Sequence, residues 1–225
     1  YNDVHDYFYV KVPDASRVYG LELEHILSPN QLNYLVDENT LVEEHIAGIP
    51  GDVFLPLYSN RPEFNAKRIG KEFVKFNERC FVRLLGDMRA YNFVVDVTPD
   101  FDEEQYRIRS IDFDQQCYEG KKSVYLPQYF KQNNPLIELG MKYMTPESVW
   151  QYQIEERSMI ASRLKSESQR VYDLMNVMSK DEIAPAENVD QLKSELAKHY
   201  NDDRFLACQT MGEIVWHSLE LVMRH

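Results

Sequence analysis

An aspartate and an asparagine stand five positions apart in Asp87-Met88-Arg89-Ala90-Tyr91-Asn92, and two more aspartates follow in Ile111-Asp112-Phe113-Asp114. Between them lie two stretches of β-branched and aromatic residues, 93–97 and 106–111, separated by the acidic run Thr98-Pro99-Asp100-Phe101-Asp102-Glu103-Glu104. That pattern predicts a β-hairpin whose connection is the acidic run, a stretch of poor strand propensity. The second strand of a hairpin returns beside the first, so Asn92 and Asp112 are expected at the same end, with Asp87 close by. Oxygen-bearing side chains converging in this way suit a hard cation. Mg2+ usually takes one or two protein carboxylates and completes its shell with substrate phosphates. The Asp87/Asn92 spacing by itself favours a plain helix-stop turn, because both residues bond readily to local backbone; the Ile-Asp-Phe-Asp segment after the hairpin is what turns it towards chemistry.

The elements around this segment can be read in outline. Residues 7–12, Tyr-Phe-Tyr-Val-Lys-Val, predict a strand ended by Pro13, with a weaker strand over 19–24. Ser28-Pro29 reads as the start of a helix carrying Leu32, Leu35 and Val36, with helical character resuming over 40–47. Gly48 to Asp52 reads as a loop. A long amphipathic helix is expected over 62–85, stopped at Gly86. Residues 115–145 read as irregular. A capped helix should open at Thr145-Pro146 and run over 146–165 and on towards Met178, followed by helices over 189–200 and 209–224. Trp150 and Trp216 are expected in the core, and Glu155, Glu156, Lys165 and Glu167 on a solvated helix face.

The catalytic segment resembles that of the protein-kinase-like superfamily, which uses a base-position Asp, an Asn five residues later and a metal-binding Asp opening the next loop. It is closer to the atypical branches, the phosphoinositide lipid kinases and the bacterial toxin-type kinases. Those share Asp-x-x-x-x-Asn, and an Ile-Asp-Phe segment follows across a hairpin. The resemblance covers about residues 62–115. It implies an α+β, two-lobed fold: a partial, β-containing N-lobe-like region over 1–60, and a helical C-lobe over 61–225 with its catalytic loop at 87–92 and metal-binding segment at 112–114. It implies ATP and Mg2+ as cofactors, Asp87 orienting or deprotonating an acceptor hydroxyl, and Asn92 and Asp112 holding the metal. Lys11 is implied as the lysine that contacts phosphate, and Glu43 or Glu44, on the following helical segment, as its partner. The sequence departs from the family at three points. His-Arg-Asp is replaced by Leu85-Gly86-Asp87, the stretch from Asn92 to Asp112 is longer than in typical protein kinases, and Asp114 stands where glycine is usual. Asp114 either assists the metal or stiffens the loop. Lys11 also reads as an ordinary solvated strand lysine.

Composition narrows the alternatives. The chain has 225 residues with 44% apolar types, enough for a sizeable core, and 37 acidic against 25 basic residues give a net charge of −12. Such a surface repels phosphate backbones, so no nucleic-acid partner is expected. Cys80, Cys117 and Cys208 have no framework spacing, which favours a reducing, cytoplasmic setting. Cys117 reads as a small buried thiol. No His pattern suggests zinc, and no apolar run is long enough to span a membrane. The chain opens with Tyr1 rather than Met, and residues 1–6 do not read as a signal peptide, so a processed or truncated piece of a longer protein is expected. Three functions remain. The first is a kinase-like phosphotransferase acting on a hydroxyl of a protein or small molecule. The second is a non-catalytic kinase-like interaction module, for which the lack of a Gly-rich loop before Lys11 speaks. The third is a metal-dependent phosphohydrolase or nuclease built on Asp96, Asp112 and Asp114.

Overall fold

The structure is a computed structural model and describes residues 7–101 and 103–224. The opening residues 1–6 and Asp102 of the acidic run lie outside the described residues. The architecture is α+β, with two small antiparallel sheets in the N-terminal half and a helical C-terminal half.

Strand β1 (Phe8–Lys11) forms as its β-rich composition dictates and stops before Pro13. Asp14 then caps a helix, its carboxylate accepting the Arg17 backbone N–H at 2.8 Å, and α1 runs over Ala15–Leu27. The weak strand expected at 19–24 is therefore helix. The cap at Asp14 starts it, and Leu23, Ile26 and Leu27 bury one helical face.

Ser28 closes α1 instead of opening a helix, and the helical segments expected over 28–36 and 40–47 are instead the strands β2 (Tyr34–Asp37) and β3 (Thr40–Glu44). The Glu38-Asn39 turn, with Glu38 at φ 48°, folds them back on each other. Leu41 and Glu43 alternate inward against Val42 and Glu44, the period of a strand. The three strands form a sheet in the order β1-β3-β2.

The Gly48–Asp52 stretch is less of a loop than expected. It supplies β4 (Ile49–Pro50) and the start of α2 (Gly51–Tyr58). Helix α3 (Ala66–Arg83) is capped by Asn65 and buries Ile69, Phe73, Phe76 and Cys80. Its stop is Leu84 in the left-handed region at φ 58°, two residues before the expected Gly86. The hairpin strands β5 (Phe93–Asp100) and β6 (Glu103–Ser110) pair Phe93 with Ser110 and complete a second sheet in the order β4-β5-β6. They reach further than expected. The acidic run pairs across the hairpin as far as Asp100 and Glu103, where Asp100 accepts a hydrogen bond from Gln105 and Glu103 pairs with Arg68.

Three short 3-10 turns between Lys122 and Asn133 precede α4 (Asn134–Tyr143), a helix in a stretch read as irregular. Pro135 sits in its first turn, where a missing N–H costs nothing. Helix α5 (Pro146–Ser166) has the Thr145/Ser148 capping box; the continuation expected towards Met178 is a separate helix, α6 (Ser168–Met178), after a break at Glu167, and α7 (Ala186–Tyr200) and α8 (Met211–Met223) follow in the expected order. One apolar cluster joins α3 to both sheets, and a second joins α1 and the end of α3 to the C-terminal helices.

Two expectations about burial fail. Trp150 is 56% exposed, while Trp216 packs against the helical core. Glu156 is fully buried, ion-paired to Arg79 at 3.0 Å, whereas Lys165 and Glu167 are exposed. The three cysteines are free and buried, and burial pushes the Cys117 thiol up to about 12. No helix among the described residues is long and apolar enough to cross a membrane.

Gly212 lets the start of α8 rest on the end of α6. A Cβ there would lie 2.2 Å from the Met178 carbonyl carbon. Gly212→Ala is expected to lower stability by about 1–3 kcal/mol through overpacking, read as a lower urea midpoint at unchanged slope. An unchanged midpoint would show that the two helices can part freely.

Candidate functional site

The loop after α3 is held from several sides. Leu85 bridges to Gln116, the Gly86 N–H donates to Gln115 O at 3.0 Å, and the Asp87 N–H donates to Val124 O at 3.1 Å. Asp87 itself sits at φ 56°, a conformation Asp tolerates better than most residues. Asn92 closes the loop. Its amide NH2 donates to the Asp87 carbonyl at 2.7 Å, with the Asp87 carboxylate Oδ2 at 3.5 Å. Fully buried Asn133 supports the same loop, donating to Met88 O at 2.9 Å. Arg89 meets Asp87 Oδ1 at 2.7 Å and donates to the Tyr91 hydroxyl at 2.9 Å.

The hairpin brings the second segment to this loop. The Ile111 N–H donates to Asn92 O at 3.1 Å, which seats Asp112 beside Asn92. Asp112 Oδ1 accepts the Asp114 N–H at 3.1 Å. Arg17, from the first turn of α1, reaches Asp114 at 2.6 Å and Asp112 at 3.3 Å through the same nitrogen. Its other two nitrogens grip Glu43 at 2.9 and 2.5 Å. Lys11 donates to Glu43 at 2.8 Å. Glu44 points to Asn33 instead. Glu43 thus partners Lys11 from strand β3, not from a helix. Cross-strand pairing of Tyr9 with Glu43 puts the two neighbouring side chains on one sheet face.

The electrostatics follow from burial and these partners. Burial pushes the Asp87 carboxyl above the ordinary aspartate range; Arg89 pulls it back, and the negative charge of Asp112 pushes it up again. Burial alone would raise Glu43, but Arg17 and Lys11 outweigh it and hold its carboxyl below the usual value. Burial would lower Arg17, and Glu43 with Asp114 more than reverse this.

A cavity of about 270 Å3 lies between the two sheets. One wall carries Tyr9, Lys11 and Glu43 from the first sheet. Val94, with Ile111 and Phe113 just beyond β6, faces it, and His45, Ile46 and Gly48 span the two. Its lining mixes apolar side chains with Lys11, Asn33, Glu43 and Glu44, and among the described residues Lys11 is the one lysine or arginine that lines it. That form suits a flat, partly apolar ligand whose anionic tail meets Lys11.

Asn92 and Asp112 fit Mg2+ chemically. Both offer hard oxygen, and because the Asn92 NH2 is committed to Asp87, a cation would meet its amide oxygen. Asp114 is engaged by Arg17. Among the described residues, no three or more His, Cys, Asp and Glu side chains are grouped to hold a metal. Asp96 lies opposite Arg107 within the hairpin, apart from the Asp112 loop.

Two residues of this cluster carried little signal in sequence. Arg17 follows an N-cap aspartate directly after the strand of Lys11, and that cap was the available clue. Asn133 lies in a stretch without periodicity. No protein family, curated protein or solved structure matches this chain.

Proposed function

We propose that this chain is a phosphotransferase of the atypical kinase-like type, moving the γ-phosphoryl group of ATP to a hydroxyl of a protein or small molecule with Mg2+. One observation carries the reading. Asn92 binds Asp87, the Ile111 N–H bond to Asn92 seats Asp112 beside it, and Arg17 and Glu43 link Asp112 to Lys11, which lines the cavity between the sheets. In this reading the cavity takes the nucleobase and Lys11, oriented by Glu43, meets the phosphates. Asn92 and Asp112 hold Mg2+, which when bound offsets charge on the phosphates. Asp87 accepts the proton of the attacking hydroxyl, a role its raised pKa suits. Three free thiols accord with a cytoplasmic setting.

The test is ATP with and without Mg2+ in thermal unfolding. A ligand at a hundred times its Kd stabilises the native state by about 2.7 kcal/mol. A rise in Tm that needs Mg2+ and is lost in Asp112→Asn is expected; no rise at millimolar ATP and Mg2+ overturns the reading. A second reading, a kinase-like module that does not transfer phosphate, is favoured by the contact of Arg17 with Asp112, which sets a cation beside the metal carboxylate. ADP formation separates the two.

Arg89 provides a check on the role of Asp87. The arginine stabilises the carboxylate, so Arg89→Gln leaves less Asp87 deprotonated at a given pH. The acid limb of the rate profile should move to higher pH, a shift that the partial exposure of the pair keeps modest. A limb that stays in place or moves to lower pH would exclude Asp87 as the titrating base.

A further inference from the structure

We infer that Arg17 is a positioning residue for this site and that Asp114 serves as its anchor, not as a metal ligand. The inference rests on the phosphotransfer reading and deepens it. The Arg17 side chain is 6% exposed, and its three nitrogens are divided between two places. Nε and one terminal nitrogen take both oxygens of Glu43, and the other terminal nitrogen takes Asp114 at 2.6 Å. Only a planar guanidinium has this fork; a lysine ammonium cannot hold one carboxylate with two nitrogens and reach another.

The geometry divides the two aspartates. Asp114 makes the short contact, while Asp112 is touched at 3.3 Å and through Oδ1 alone, the same oxygen that accepts the Asp114 N–H. Its Oδ2 remains for a ligand. Charge points the same way. Lys11 and Arg17 carry two positive charges against the three carboxylates of Glu43, Asp112 and Asp114, so the group keeps one net negative charge, and Asp112 holds the longer and weaker of the two Arg17 contacts to the loop.

A second observation, independent of the ion pairs, shows why Arg17 reaches so far. Gly20, one turn along α1, lies so close to the loop that a Cβ would sit 2.8 Å from Phe113 Cβ. The helix is pressed directly onto the residue between Asp112 and Asp114. Arg17 then ties that loop to Glu43, and Glu43 also orients Lys11. One side chain thereby sets the metal carboxylate and the phosphate lysine relative to each other.

The test is a double-mutant cycle on the gain in ATP affinity that Mg2+ confers, with metal-free ATP as the internal reference. A merely structural role would weaken both forms alike. Residues that orient a metal ligand without touching the metal typically contribute about 10–100-fold to metal affinity. Arg17→Gln and Asp114→Asn should each reduce the Mg2+ gain by about tenfold. The double variant should lose no more than either single one, and Asp112→Asn should abolish the gain. Asp114 is half exposed, so its variant supplies the readout should Arg17→Gln fold poorly. Losses that add, or an Asp114→Asn loss equal to that of Asp112→Asn, would make Asp114 a ligand and overturn the inference. A gain that depends on Asp112 but not on Arg17 overturns this inference alone. Absence of any Mg2+ gain in the wild-type chain overturns the phosphotransfer reading with it.

Discussion

In the proposed phosphotransfer, Asp87→Asn is expected to slow the reaction by about 10²–10⁴-fold, the usual contribution of a positioned general base, while Mg·ATP affinity stays within about threefold. The loop should survive the change. Asn92 binds the Asp87 backbone carbonyl, and Gly86, Asp87 and Cys117 are tied by backbone hydrogen bonds that the side chain does not make. Asparagine also tolerates the left-handed conformation at this position. What is lost is the carboxylate proposed to accept the proton, together with its Arg89 ion pair. Turnover followed as ADP formation, with ATP binding measured by calorimetry, separates the two effects. A rate within threefold of wild type would remove Asp87 from the chemistry, whereas a wild-type chain that forms no ADP would leave the module reading in its place.

The largest expected effect on stability lies away from the cleft. Arg79→Ala should lower stability by about 3–5 kcal/mol, because it leaves the fully buried Glu156 without its cation. Arg79 also bonds Glu72 at 2.7 Å and the Ile108 carbonyl at 3.2 Å, so this one residue joins α3, α5 and β6. Burial alone would lower the Arg79 pKa, but Glu72 and Glu156 outweigh it and keep the guanidinium charged.

The loss should depend on pH. Burial already raises the Glu156 carboxyl, and Arg79 is the chief influence that lowers it. Without Arg79 the folded pKa rises further above its unfolded value. A carboxyl raised in this way favours the fold while protonated, and stability falls as pH climbs from the unfolded pKa through the folded one. The deficit should therefore be largest near neutral pH and shrink on acidification, measured as urea midpoints at pH 7 and pH 5. A deficit under about 1 kcal/mol at pH 7 would mean that Glu156 finds another partner or takes up a proton at little cost.

Much of the candidate site was readable because its parts are local. Five residues separate Asp87 from Asn92, and a hairpin returns Ile111 to Asn92 by antiparallel pairing that needs only a turn and two strands. The helices from α5 onward carried their own caps and breaks at Thr145, Pro185 and Thr210. The first 47 residues were harder. Leu32, Leu35 and Val36 satisfy a helical period, yet a run that short fits either period, and the turn at Glu38-Asn39 together with pairing to β1 selects the strand.

By itself, then, the sequence determined the α+β composition, the hairpin, the helical tail and the approach of Asn92 to Asp112, all consequences of short-range periodicity and turn chemistry. Only the tertiary structure decided which charges meet. Arg17 reaches Glu43 across 26 positions and Asp114 across 97, and Arg79 reaches Glu156 across 77. No local pattern marks such pairs, because a buried charge is assigned its partner by the packing of separate elements. At Gly20 that packing turns on the absence of a single carbon atom.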